Sequence, residues 1–236
     1  MLRTSIRAAK NIFFPALCFC CETKLSTSQY ICDKCRNQIK FLLPPICKLC
    51  STPIKNNKTN LCKNCLNSYY PYNKVICATL YTSTMQKLIH LFKYKHCDYL
   101  IKLFSSILTT YLSNIAFTAE DYDFITAVPM HPAKLKERGY NQSALLAHAL
   151  ANYFKKPLKN GIIYETKLRD SQTKLKKEER IKNTTAMFWA KENLTAKKII
   201  VVDDMFTTGS TAQSCCQALK EKGAARITVI TLSKAQ

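Results

Sequence analysis

The sequence predicts an α/β fold, a parallel sheet flanked by helices, behind a cysteine-rich N-terminal module. Three observations carry this reading. From residue 75 onward, short apolar runs rich in β-branched residues alternate with stretches of helical period. Of the 13 cysteines, nine fall between residues 18 and 65. The run Ile199-Ile-Val-Val202 reads as a buried strand that ends on two adjacent carboxylates, Asp203 and Asp204.

Four Cys-x-x-Cys pairs stand in order: Cys18/Cys21, Cys32/Cys35, Cys47/Cys50 and Cys62/Cys65. Each pair can turn one zinc knuckle, and two knuckles complete a tetrahedral thiolate site. Eight thiolates suit two Zn2+ ions, in the simplest grouping the first four and the last four. The near-equal intervals leave other groupings open, and one ion with the other four cysteines merely buried is a second reading. Cys20 is an extra thiol that competes with Cys21. Residues 1–70 are therefore expected to form a double zinc ribbon. With no open coordination position, its metal is structural. So small a module has little apolar core, and metal binding would supply much of its folding free energy.

Paired spacing with an odd cysteine total speaks for metal thiolates in a reducing compartment rather than a secreted disulfide framework. The N-terminus is basic, but the apolar patch from Ile12 to Leu17 is short, holds Pro15 and runs into the first cysteines, so a cleaved signal peptide is not expected. No apolar run approaches the length of a membrane span. The expectation is a cytoplasmic protein without membrane insertion.

Residues 71–236 are expected to form the α/β domain. Val75–Tyr81 reads as its first strand. Ser83-x-x-Gln86 has the spacing of a capping box, and Met85, Leu88, Ile89 and Phe92 then share one helix face. Leu100, Leu103, Phe104, Ile107, Leu108 and Tyr111 define a second helix. Phe124–Pro129 reads as a strand stopped by proline, and Leu146, Leu150, Tyr153 and Phe154 mark the next helix. Ala186–Ala190 suits a strand near the sheet edge. After the core strand 199–202, Ala212, Cys215, Cys216 and Leu219 recur at helical spacing, with Gly223 as the stop. Arg226–Leu232 is the last strand.

The chemistry concentrates after the core strand. Thr207-Thr208-Gly209-Ser210-Thr211 is a small-residue turn that opens a helix, where backbone N–H groups and the helix dipole favour an anion such as phosphate. The hydroxyls add donors, and Gly209 lets the backbone approach closely. Asp203 and Asp204 beside that cradle can accept hydrogen bonds from a vicinal diol. A phosphate next to a diol is a ribose 5-phosphate. No G-x-x-x-x-G-K-[ST] run is present, which excludes a nucleoside-triphosphate P-loop.

Val201-Val-Asp-Asp-Met-Phe-Thr-Thr-Gly-Ser-Thr211 resembles the phosphoribosyl pyrophosphate (PRPP) motif of type I phosphoribosyltransferases. With Arg138-Gly-Tyr-Asn-Gln142, the series Gln172, Lys174, Arg180 and Asn183, and the paired cysteines, nearly the whole chain resembles the ComF family of competence proteins. That resemblance implies a double zinc ribbon followed by a type I phosphoribosyltransferase-like domain that binds Mg2+ with PRPP. It makes Pro129, Met130 and His131 the pyrophosphate loop, gives the ribose hydroxyls to Asp203 and Asp204, and gives the 5-phosphate to Thr207–Thr211. It makes 169–183 a flexible loop over the site, as in amidophosphoribosyltransferases. It also implies a role in natural transformation, handling incoming single-stranded DNA with a competence helicase as a possible partner. Family members often carry an aliphatic residue where Met205 and Phe206 stand, a change of packing that leaves the donors intact.

The net charge is +21, from 36 basic and 15 acidic residues. Such an excess favours polyanions, although lysine spread along the whole chain fits a general compositional bias equally well. Two functions follow. In one, the pocket binds PRPP within a DNA-handling protein. In the other, the chain is an active phosphoribosyltransferase that moves ribose 5-phosphate to an amine or base. Mg2+ with Arg138, Lys174 and Arg180 would then stabilise the charge growing on pyrophosphate. His131 either donates to phosphate or only shapes its loop. The other histidines form no metal pattern, and Cys77, Cys97, Cys215 and Cys216 read as packing residues.

Overall fold

The structure, a computed structural model, describes residues 16–25, 29–55, 58–165 and 187–235. Its centre is a sheet of four parallel strands, β1 (Lys74–Leu80), β2 (Phe124–Ala127), β5 (Lys198–Phe206) and β6 (Arg226–Lys234), in the order β1-β6-β5-β2. Ile199, Ile200, Val201 and Val202 have no exposed surface. Burial on both faces of a parallel sheet explains why this strand is continuously apolar rather than alternating. Beyond β2 the ladder continues as a bridge to Leu158, with Lys159 N–H donating to Ile125 O at 2.9 Å.

Helix α3 (Ser83–Tyr94) buries Met85, Leu88, Ile89 and Phe92, and α4 (Ile101–Asn114) buries Leu103, Phe104, Ile107, Leu108 and Tyr111. Both faces are those expected from the spacing. Two short one-turn helices, α1 (Asp33–Arg36) and α2 (Lys63–Leu66), lie in the cysteine-rich module. Helix α5 (Pro132–Arg138) follows β2, and α6 (Gln142–Phe154) packs across β2 and β5 beside α4. Helix α7 (Ser210–Glu221) follows β5 and buries Ala212, Cys215, Cys216 and Leu219. Gly223, at φ +93°, ends it as a C′ residue: Gly223 N–H donates to Lys220 O and Ala224 N–H to Leu219 O, the paired bonds of a Schellman stop.

Several expectations are corrected. The Ser83–Gln86 capping box does not form: Thr82 holds the cap position without a side-chain cap bond, and Ser83 is already helical. The strand expected at 186–190 is β4 (Phe188–Ala190), and it pairs antiparallel with β3 (Ile163–Glu165) in a separate two-stranded ribbon rather than at the sheet edge. That ribbon packs on α7. Tyr153 is exposed although i, i+4, i+7 spacing puts it on the face of Leu146 and Leu150, because it stands in the last turn of the helix. Strand β5 runs on through Phe206, so Asp203 and Asp204 belong to the strand itself.

The cysteine-rich module closes the free edge of β1. Leu42 N–H donates to Ala78 O at 2.9 Å, and Leu80 N–H donates to Lys40 O at 2.8 Å. Further along the edge, Val75 N–H donates to Leu49 O at 2.7 Å. Ser51 is buried, donates its hydroxyl to Val75 O at 2.7 Å, and accepts from Cys77 N–H at 3.3 Å. The Tyr111 hydroxyl donates to Leu42 O. An edge strand left open is a template for aggregation, and this contact satisfies its backbone groups internally.

Replacing Ser51 by alanine would leave a buried N–H and a buried carbonyl without their shared partner. Ser51→Ala is expected to lower unfolding free energy by about 1–3 kcal/mol, measured by urea denaturation of the zinc-loaded protein. An unchanged midpoint would show that β1 does not depend on this contact.

Candidate functional site

The eight paired cysteines form two clusters: Cys18, Cys21, Cys32 and Cys35, and Cys47, Cys50, Cys62 and Cys65, the sulfurs of each within 4.8 Å of one another. This settles the grouping as the first four and the last four. Cys20 lies outside the clusters. The Cys21 and Cys32 sulfurs are 3.5 Å apart, and those of Cys50 and Cys62 are 3.7 Å apart. A tetrahedral ion with Zn–S of about 2.3 Å sets its sulfurs about 3.8 Å apart, so both donor sets fit Zn2+.

The two ribbons repeat one local design. Cys18 N–H donates to Thr23 O and Cys47 N–H to Thr52 O. Glu22 and Ser51 both take positive φ, at 60° and 57°, to turn the knuckle. Thr23 and Thr52 place a hydroxyl 3.2 and 3.0 Å from the sulfurs of Cys21 and Cys50. Cys32 and Cys62 cap the one-turn helices α1 and α2.

The second site lies at the carboxyl ends of β5 and β2, where a ligand crevice is expected in an open parallel sheet. Asp203 Oδ1 accepts from the Ser143 hydroxyl at 2.8 Å and from Asp204 N–H at 2.9 Å. Asp204 is buried, and its Oδ2 is 2.6 Å from Lys93 Nζ in an ion pair shielded from water. Removal from water and the adjacent Asp204 carboxylate raise the Asp203 pKa to about 7, against the pull of Ser143, the Asp204 N–H and Lys93.

Past this pair the chain turns through Thr207, Thr208 and Gly209 into α7. Thr207, Thr208 and Ser210 are exposed and Thr211 is half-buried. The Thr208 and Ser210 hydroxyls are 3.1 Å apart. Gly209 is the cap residue at φ +85°, and an added Cβ would sit 2.6 Å from the Phe206 ring. Both the left-handed backbone and that close approach require glycine. Lys234 Nζ also lies over the Phe206 ring, 4.5 Å from its centroid. The first turn of α7 leaves backbone N–H groups free for an anion.

The β2 side is built by residues 128–143. Pro129, Met130 and His131 are half-buried in the connection to α5. His131 Nδ1 accepts from Ala133 N–H at 3.2 Å, so the imidazole caps α5, a short helix where a loop is expected. Asn141 caps α6 through Ser143 and Ala144 N–H and donates its amide to Val128 O at 3.0 Å. Tyr140 and Gln142 both donate to the carbonyl of Phe92. Arg138 stacks over the Tyr94 ring at 4.8 Å and donates to the Tyr94 hydroxyl at 3.2 Å and Gln142 Oε1 at 3.4 Å. With Lys93, Tyr94, His96 and Glu137 it lines a cavity of about 140 Å³.

A family model for the double zinc ribbon domain matches residues 9–66, and one for the phosphoribosyl transferase domain matches residues 141–235. The chain is 26% identical over 229 residues to competence protein F of Haemophilus influenzae, covering 94% of this chain and 99% of that protein. It is 25% identical to DNA utilization protein YhgH of Escherichia coli K12, over 93% of this chain and 97% of the relative. Competence protein ComFC of Bacillus subtilis is 25% identical over 88% of this chain and 85% of its own length. Over nearly its full length the chain is similar to these competence and DNA utilization proteins, with a double zinc ribbon ahead of a phosphoribosyl transferase domain.

The structure brings Asp203, Asp204, Thr207–Thr211, Pro129–His131 and Arg138 to one end of the sheet. Lys174 and Arg180, with Arg169, Gln172 and Asn183, lie outside the described residues. Sequence reasoning missed three contributors. Lys93 and Tyr94 stand in the last turn of an amphipathic helix, where a basic residue reads as an ordinary C-terminal charge. Ser143 follows the Arg138–Gln142 run directly, and its position in the first turn of α6 was the available signal. The Arg138–Gln142 run itself proves to be largely a fastening of α5 and α6 to the end of α3.

The two clusters predict two equivalents of Zn2+ per chain, released by a mercurial thiol reagent and counted with a chromogenic chelator. Cys47→Ser with Cys50→Ser is expected to leave one. A count of one in the unsubstituted protein would leave a single metal-bearing ribbon.

An aspartate raised in the folded state contributes stability that is fully present below its unfolded pKa of about 4 and lost as pH rises through about 7. Asp203→Asn is therefore expected to raise the melting temperature at about pH 8 by a few degrees and by much less at about pH 5. A gain independent of pH would remove Asp203 as the titrating group.

Proposed function

We propose that this protein binds PRPP with Mg2+ at the carboxyl ends of β5 and β2, as part of the handling of incoming single-stranded DNA in natural transformation. The observation that carries the PRPP reading is the Asp203–Asp204 pair on the strand that leads into the Thr207–Thr211 turn and α7. A ligand that presents a vicinal diol beside a phosphate matches acceptors and donors in that order. In this reading Asp203 and Asp204 take the ribose hydroxyls, and Thr207, Thr208, Gly209, Ser210 and Thr211 take the 5-phosphate. Pro129–His131 take the pyrophosphate end, with Arg138, Lys174 and Arg180 as its cations.

The names competence protein F, DNA utilization protein YhgH and competence protein ComFC support the wider role. So does a chain with a net charge of +21. Among the described residues no helix is long and apolar enough to cross a membrane, in keeping with work in the cytoplasm on DNA that has already entered. A competence helicase is the partner this role calls for. We place the domain division at residues 70 and 71, between the zinc ribbons and the α/β domain.

The cavity bounded by Lys93 and Arg138 supports a second reading, transfer of ribose 5-phosphate to an amine or base with release of pyrophosphate. Lys93, paired with Asp204, and Arg138 in the same cavity are cations that suit the charge that grows on a leaving pyrophosphate. Pyrophosphate release from PRPP on addition of an acceptor separates the two readings.

Asp203→Ala together with Asp204→Ala is expected to abolish Mg2+-PRPP binding in isothermal titration calorimetry, while both zinc ions stay bound. Unchanged affinity would remove the carboxylates from the site.

A further inference from the structure

The β3–β4 ribbon carries surface that the PRPP reading does not use. Tyr164 and Trp189 are cross-strand partners whose rings stack at 4.7 Å with an interplanar angle of 20°. Both remain well exposed, Trp189 at 47%. Strand alternation puts Met187, Trp189 and Lys191 on one side, away from the buried Phe188 and Ala190, and all three are exposed. The Tyr164 hydroxyl approaches Gly161, where a Cβ would meet it at 3.6 Å, so the ring lies down against the turn that precedes its strand. The opposite face of the ribbon is committed to α7.

A large aromatic pair held open to water loses the burial that would stabilise it, and stacked planar rings beside a cation suit one class of partner. Successive bases stack on such rings while lysines meet the phosphates, without need of sequence. Charge complementarity favours this partner over a second copy of the chain, because two copies of a protein at +21 repel one another. Lys191 on the same face supplies local positive charge, while Lys159 beside the ribbon is paired with Glu192 at 3.8 Å.

We propose that the outward face of the β3–β4 ribbon, Tyr164 and Trp189 with Lys191, is a base-stacking surface for single-stranded nucleic acid. It rests on the reading that the protein handles single-stranded DNA, and it locates that contact. Bases would continue the Tyr164–Trp189 stack, and Lys191 would meet the backbone at one side.

Trp189 is the chain's single tryptophan, so selectively excited tryptophan emission reports this surface alone. The full-length zinc-loaded protein is titrated with an oligothymidylate of about 16 nucleotides and, separately, with an abasic oligomer of the same length. Binding is followed by fluorescence anisotropy of a labelled strand and by tryptophan quenching. Oligothymidylate is expected to quench Trp189 and the abasic strand to bind more weakly with little quenching. Tyr164→Ala with Trp189→Ala is expected to weaken binding by about tenfold or more, the loss of one or two stacked bases. The slope of affinity against salt should stay the same, since no phosphate contact is removed. Trp189→Tyr should recover most of the affinity. Wild-type binding without quenching, or undiminished in the double variant, would overturn the proposed surface and leave DNA handling standing. So would a dimer, seen by light scattering, that the double variant abolishes. Absence of oligonucleotide binding at low salt would overturn the DNA-handling reading itself.

Discussion

Two adjacent carboxylates on the central strand of a buried sheet set the terms for the rest of the domain. Asp203 and Asp204 repel each other, Asp204 is buried and Asp203 half-buried, and beyond the Asp204 N–H on Asp203 the pair draws its donors from outside the sheet. Lys93 comes from the end of α3 and Ser143 from the start of α6. Those two helix ends must therefore stay in register with the end of β5. The fastening is Tyr140 and Gln142 on the carbonyl of Phe92, with Arg138 stacked on Tyr94. A run that reads as phosphate chemistry spends most of its polar groups holding two helices in place around an acid pair.

The zinc ribbons answer a different constraint. The parallel sheet ends at β1, and a parallel edge offers unpaired N–H and carbonyl groups to any passing chain. Residues 40–51, between and within the ribbons, satisfy those groups at Val75, Cys77, Ala78 and Leu80. The second knuckle does this directly, because its αL residue is Ser51, whose hydroxyl reaches β1. In the first knuckle the same position is Glu22, and the attachment is instead Lys87 Nζ donating to Cys20 O. One duplicated design thus serves as a sheet cover in its second copy and as a helix contact in its first.

What the sequence makes legible follows period and spacing. Strands buried on both faces and helices with one apolar face show in the pattern, so β1, β5, β6 and α3 stand within a few residues of their expected bounds. The cysteine pairs show as metal knuckles, but their near-equal intervals leave the grouping open, and the structure supplies it. The placement of Phe188–Ala190 was not legible, because three residues carry no information about which strand they pair with, and Ile163–Glu165 is as short. At the candidate site, the acid pair and the small-residue turn were visible since both are contiguous. Lys93 and Ser143 were not, because each acts on β5 from a distant part of the chain and neither breaks a local rule. His131 was ambiguous between phosphate and loop, and its Nδ1 accepts from Ala133 N–H at the start of α5.

The acid pair also has meaning against the charge of the whole chain. With 36 basic residues against 15 acidic ones, any phosphate-rich molecule is drawn to the surface, and attraction of that kind does not discriminate. Selectivity at the crevice then has to come from rejection. Two carboxylates at its floor repel a bare polyanion, and Lys93 offsets the charge of only one of them. A ligand overcomes that repulsion when it brings hydroxyl donors to the carboxylates while its phosphate reaches the α7 N-terminus. A polynucleotide, whose sugar 3′- and 5′-oxygens are esterified, brings no such diol along its length. On the proposed function, the crevice and the basic exterior would select different ligands by different means: a diol phosphate by matched donors and acceptors, and an extended polyanion by charge and stacking outside it.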